Sequence, residues 1–156
     1  MQKSFVSLAL LSLALASTAA NADKEKKVTE QQVPKAVLDA FHTAYPQATD
    51  VEFEKEGKGV YEVEFKDQGT EREASYSAKG KLLSIKEDIQ PDALPAAVTD
   101  AIKKAYPQAT IAEAEKNLKP DGTVNCYEVE IKDGAKALEI HLDPTGKILK
   151  TEKDDD

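Results

Sequence analysis

The chain of 156 residues has little of what small exported domains usually rely on. It holds one cysteine, Cys126, so no intramolecular disulfide and no thiolate metal cluster can form. It has no tryptophan, one methionine and only 6% aromatic residues. Histidine occurs twice, at His42 and His141, which leaves little material for a nucleophile, base and orienting group within reach of one another. No D-x-D-x-D-G loop is present, so the ordinary calcium-loop signature is missing. One apolar run stands out, Phe5 to Ala16, and it is too short to cross a bilayer comfortably. Basic residues are outnumbered 21 to 29 by acidic ones, giving a net charge of −8. That balance disfavours nucleic acid and anionic lipid as partners, because both reward lysine and arginine clusters.

The apolar run belongs to a recognisable N-terminus. Lys3 precedes it and Ala20-Asn21-Ala22 follows as a small-x-small cleavage site. Residues 1–22 read as a secretory signal peptide cut before Asp23, so the mature chain is expected to be periplasmic or secreted, with no membrane anchor. Cleavage removes one lysine and no acid, leaving 20 basic against 29 acidic residues, a charge near −9.

An internal repeat organises the rest. VPKAVLDAFHTAYPQAT (33–49) lies over LPAAVTDAIKKAYPQAT (94–110) with eleven of 17 positions identical, at an offset of 61. YEVEFKD (61–67) lies over YEVEIKD (127–133) at an offset of 66, so the second copy carries five extra residues around Asn117–Gly122. Val33, Val37, Leu38, Phe41, Ala44 and Tyr45 form one helical stripe, and Leu94, Val98, Ala101, Ile102, Ala105 and Tyr106 form its counterpart. Pro34 and Pro95 suit a helix start; Pro46 and Pro107 force the exit. Strict alternation follows: Tyr61, Val63 and Phe65 inward against Glu62 and Glu64; Tyr127, Val129 and Ile131 inward against Glu128 and Glu130; Leu138, Ile140 and Leu142 inward against Glu139 and His141.

The expected fold class is α+β: two tandem units, each one helix on an antiparallel sheet of about four strands. The expected divisions are a signal peptide (1–22), a flexible N-terminal segment (23–32), repeat 1 (33–89), repeat 2 (90–153) and an acidic tail (154–156).

YEVEIKDGAKALEIHLDPTGKIL (127–149) resembles the closing hairpins of the PepSY superfamily, with a Y-x-V strand and a later D-x-x-G-K turn. The helix opening, the duplication and the signal peptide resemble its PepSY-like group, whose fold is compared with the β-lactamase inhibitor protein. The first copy departs from the signature at Ser77-Ala78-Lys79-Gly80, and Phe53 and Ala114 stand where this group often carries tryptophan. The resemblance implies an extracytoplasmic module that binds or restrains another protein, such as an extracytoplasmic enzyme or peptidase, through a concave surface on joined sheets. It brings no catalytic residues, cofactor or metal, and fold likeness alone does not imply inhibition.

The outward carboxylates are the largest polar feature. Glu62, Glu64, Glu128, Glu130 and Glu139, with His141, are the candidate partner-binding residues; no residue is assigned as catalytic, cofactor-binding or metal-ligating. The function expected is a non-enzymatic protein-binding or inhibitory module. The alternative is a divalent-cation-binding or cation-responsive acidic protein. Each unit is small enough to be marginal alone. A chain truncated after Gln90 should therefore melt broadly and at much lower temperature than the whole, as followed by circular dichroism; a cooperative, unshifted melt of residues 23–90 would contradict this.

Overall fold

The computed structural model describes residues 26–153; the expected signal peptide and acidic tail lie outside these residues. Nine strands run in chain order through one antiparallel sheet. They are β1 (Lys26–Val28), β2 (Thr49–Glu56), β3 (Val60–Asp67), β4 (Thr70–Ser77), β5 (Leu82–Asp88), β6 (Thr110–Leu118), β7 (Val124–Asp133), β8 (Lys136–Leu142) and β9 (Ile148–Lys153). Helix α1 (Lys35–Ala44) joins β1 to β2, and α2 (Ala96–Ala105) joins β5 to β6. The fold class is α+β, but the sheet is a single one. β5 pairs with β6 from Ile85↔Leu118 to Asp88↔Glu115, so the two expected sheets of about four strands are continuous with each other.

The N-terminal segment also differs from expectation. Lys26–Val28 is not free but pairs with Lys55–Phe53 as an edge strand, followed by a 3-10 turn at Glu30–Gln32. At the repeat offset of 61, Val28 corresponds to Ile89, whose N–H donates to the carbonyl of Ala114, the counterpart of Phe53. β1 thus occupies against β2 the place that the end of β5 occupies against β6.

Both helices start immediately after a proline at the N-cap and leave helical geometry at a tyrosine, Tyr45 (φ −129°, ψ 66°) and Tyr106 (φ −133°, ψ 74°), each followed by proline. The proline restricts its predecessor to extended backbone, which ends the helix there. The apolar stripe of α1 packs Val37 and Phe41 on Phe53, Tyr61, Val63, Phe65, Ala74 and Tyr76. That of α2 packs Val98 and Ile102 on Ala114, Tyr127, Val129, Ile131, Ile140 and Leu142. In the first cluster Phe41 meets Phe53 and Phe65 edge-on, with centroids 6.1 and 5.0 Å away. Complete burial of side chains such as Phe41 or Ile140 stabilises by roughly 1.5–3 kcal/mol each.

The register places both clusters on the same face of the sheet. Arg72, Glu87, Lys116 and Tyr127 are successive cross-strand partners on that face. An ionic seam therefore runs between the two apolar clusters. Arg72 bridges Asp67 (3.2 Å) and Glu87 (3.4 Å), Lys116 reaches Glu87 (2.7 Å), and the Arg72 guanidinium lies 5.9 Å from the Tyr45 ring centre.

Two glycines fix how closely the helices approach. Gly80 and Gly146, in the β4–β5 and β8–β9 turns, have φ of +76° and +86°. A Cβ on either would drive into the backbone carbonyl of Ala36 or Ala97, in the first turn of the helix above. Gly134 also has positive φ (+65°) but open space around it. Gly134→Ala should cost about 1–2 kcal/mol, the backbone penalty alone. Gly146→Ala should cost distinctly more, because the hairpin and α2 must separate, and urea melts of the two variants will measure the difference.

Candidate functional site

The face opposite the helices carries the other half of every strand's side chains. Their rows follow from the register. Glu54, Glu62, Ser75 and Ser84 form one row. Glu52, Glu64, Glu73, Lys86, Asn117 and Cys126 form the next. Asp88, Glu115, Glu128, His141 and Lys150 form a third, and Glu113, Glu130, Glu139 and Glu152 a fourth. The six residues singled out from sequence, Glu62, Glu64, Glu128, Glu130, Glu139 and His141, all lie in these rows. Glu62 and Glu64 sit on β3, Glu128 and Glu130 on β7, Glu139 and His141 on β8.

Neighbouring strands lie about 4.8 Å apart, so like-charged side chains directly opposite one another are close enough to repel when partly shielded from water. Glu54 is 6% exposed. Burial pushes the Glu62 carboxyl up to about 8, with further push from Glu73 and Glu56, against the Ser75 hydroxyl that donates to it at 3.1 Å. Burial also raises Glu73, and raises Glu115 to about 7 with help from Glu128, Asp88 and Glu73. Asp88 is pushed to about 6 by burial and by Glu71 and Glu113.

Lys86 sits amid these acids and was not legible as a site residue from sequence. Burial disfavours its charge, but Glu73, Glu128, Glu115 and Glu62 outweigh that and hold its pKa well above the ordinary lysine value. Its Nζ lies 3.5 Å from Glu128 Oε2, and Asn117 Nδ2 donates to Glu128 Oε1 at 3.5 Å.

His141 forms a second focus. Its Nε2 lies 2.6 Å from Glu139 Oε1 and 3.9 Å from Glu152 Oε2, and its Nδ1 3.7 Å from Glu128 Oε1. The hydrogen bond to Glu139 raises the imidazole's pKa, against the effect of burial, and correspondingly lowers that of Glu139. Glu152 was also missed; its signal was its repeat position, 66 residues beyond Lys86. Cys126 is 8% exposed, and burial, then Glu128, raises its thiol pKa, which suppresses thiolate. His42 lies apart on α1, half-exposed, its ring 5.3 Å from that of Phe41 and Nε2 3.8 Å from Glu30.

The sign of the pH dependence follows. Glu62, Glu73, Glu115 and Asp88 hold their protons more tightly folded than unfolded. Their contribution is full below the ordinary carboxylate range and is lost as pH rises through their folded values, up to about 8. His141, also raised, acts in the same direction above its unfolded value. The melting temperature should fall between pH 5 and pH 8.5 by on the order of 5 °C. Glu62→Gln should flatten that slope in calorimetric scans, and a rise over this window would overturn the electrostatic account.

Comparison with known proteins places the fold. A family model described as "Putative beta-lactamase-inhibitor-like, PepSY-like" matches residues 20–84 and 60–150. No curated protein matches the sequence. Among solved structures, a DUF2874 family protein from Bacteroides uniformis is 20% identical, with a TM-score of 0.68 over 77% of this chain and 88% of that one. A Bacteroides eggerthii protein described as a "putative periplasmic" protein is 18% identical, with a TM-score of 0.69 over 78% and 88% of the two chains. A BLIP-like protein from Bacteroides fragilis is 21% identical, with a TM-score of 0.63 over 76% and 84%. At these identities the structures speak for the fold alone. Among the described residues no helix is long and apolar enough to cross a membrane. With the family match spanning most of its length, the chain belongs to the PepSY-like, β-lactamase-inhibitor-like family.

Proposed function

We propose that the protein is an exported, non-enzymatic binding module that docks a basic surface of another protein on its helix-free sheet face. The observation that carries this reading is the crowding of Glu62, Glu73, Glu115 and Asp88, whose carboxyls are raised by burial and mutual repulsion. A lysine or arginine delivered by a partner would relieve that repulsion, as Lys86 already does within the chain. The family supports an inhibitor-like module in general terms, and the signal-like N-terminus supports export. The two repeats, 33–89 and 90–153, would act as one surface because β5 and β6 join them.

Docking of this kind has a thermodynamic signature. Carboxyls protonated in the free protein lose their protons when a cation arrives, so binding releases protons near neutral pH and weakens with salt. The test is affinity capture from periplasmic extract with the wild type beside a variant in which Glu62, Glu64, Glu128 and Glu130 are changed to Gln. A partner held by the wild type, eluted by moderate salt and bound at least tenfold more weakly by the variant is expected. A partner held equally by both would remove the acidic face from the interface.

A further inference from the structure

The repeat allows the two halves of the acidic face to be compared position by position. At the offset of 66, Glu62 corresponds to Glu128, Glu64 to Glu130, Glu73 to Glu139, Ser75 to His141 and Lys86 to Glu152. Lys86, from the first half, holds its ammonium among carboxylates of both halves, with Glu128 of the second at 3.5 Å. In the second half the lysine's place is taken by another carboxylate and the serine's by an imidazole. The result is a mixed nitrogen and oxygen donor set on two adjacent strands, β8 and β9, with the ligand atoms of Glu139, His141 and Glu152 all within 4.8 Å of one another.

The geometry suits a small divalent ion. Tetrahedral zinc with bonds near 2.0–2.1 Å separates its ligand atoms by about 3.3 Å. The distances from His141 Nε2 to Glu139 Oε1 and Glu152 Oε2, 2.6 and 3.9 Å, straddle that value. Side-chain exposures of 20–29% leave room for a water as fourth ligand. The other ring nitrogen faces Glu128 Oε1 at 3.7 Å, and that carboxylate is itself approached by Asn117 and Lys86. At 3.7 Å this is an ionic contact; a carboxylate on that side of a ligating histidine favours the proton on the nitrogen that faces it and leaves Nε2 for the metal. Lys150 holds the second oxygen of Glu152, Oε1, at 2.6 Å, which leaves Oε2 turned to the histidine.

We propose that Glu139, His141 Nε2 and Glu152 form a binding site for a zinc-type divalent cation, with Glu128 positioning the imidazole through Nδ1. Binding displaces the Nε2 proton to solvent, and the ion adds positive charge beside Lys150 at the second repeat's end of the acidic face. An imidazole in the set favours borderline ions over calcium or magnesium, which prefer all-oxygen cages. Cys126, on the Nδ1 side with Glu128, could form a rival set with His141. Its buried, acid-flanked thiol argues for the Nε2 side. This goes beyond the protein-docking reading and does not depend on it.

The test uses zinc alone, titrated against a chromophoric chelator at pH 7.5, with the chain from Asp23 onward. One equivalent should bind the wild type. Glu152→Lys and His141→Ser, which install what the first repeat carries at Lys86 and Ser75, should each weaken binding at least tenfold. Thermal melts of both variants without metal establish that they fold. Cys126→Ser should leave the affinity unchanged, and cobalt should give ligand-field bands without a thiolate charge-transfer band. No saturable zinc binding by the wild type, equal affinity in both variants, or a cobalt–thiolate band would each overturn the assignment.

Discussion

Everything in this molecule follows from covering a nine-stranded sheet on one face only. A strand sends alternate side chains to opposite faces. With both helices on one side, the core side chains of the strands point there, and most of the intervening, largely polar positions are left on the bare side. Because each strand is antiparallel to its neighbour in chain order, those intervening positions fall into cross-strand rows. Glutamates that are innocuous in a linear sequence become neighbours across three or four strands. The perturbed carboxyls of Glu62, Glu115 and Asp88 are thus a consequence of the helices' placement as much as of composition.

The covered face has its own accommodation. A duplicated unit brings two apolar clusters together, and the strands between them, β4 to β6, must carry something between one helix and the next. Here that is the Arg72, Asp67, Glu87 and Lys116 network, beside a row in which Ala74, Ile85, Leu118 and Val124 are successive cross-strand partners. Arg72 Nε lies buried without a hydrogen-bond partner among the described atoms, so this seam is not fully satisfied. An ionic seam of this kind contributes less to stability than the flanking cores, since desolvation offsets much of its Coulombic gain.

Much of this was legible in the sequence because it is local. Helix limits follow from the Pro34/Pro46 and Pro95/Pro107 pairs, and the face of Glu62, Glu64, Glu128, Glu130, Glu139 and His141 follows from alternation. What was not legible is non-local. Lys26-Lys27-Val28 is too polar and short to announce a strand, yet at offset 61 it matches Glu87-Asp88-Ile89, and the structure uses both in the same way. The fusion of the sheets depends on β5 meeting β6 across a helix, which no local pattern encodes. The five extra residues of the second copy fall at the β6–β7 hairpin, where both strands are longer than β2 and β3. Lys86 and Glu152 were passed over because lysine and glutamate on a strand ordinarily mean solvent; only register reveals what surrounds them.

The equivalence of β5 and β9 reaches beyond this chain. β5 offers its outer edge to β6, and β9, its counterpart, offers the same edge with no strand of the described residues upon it. A third copy appended there would find an acceptor already shaped for it, just as β1 shows that three residues suffice to close the opposite border. Among the described residues the architecture is therefore modular in the manner of a tiled strip, with β5 and β9 as matching edges of successive units. Lys150, Glu152 and Lys153, in place of Ser84, Lys86 and Glu87, make the terminal tile's border a charged one, which discourages unintended lateral growth between molecules.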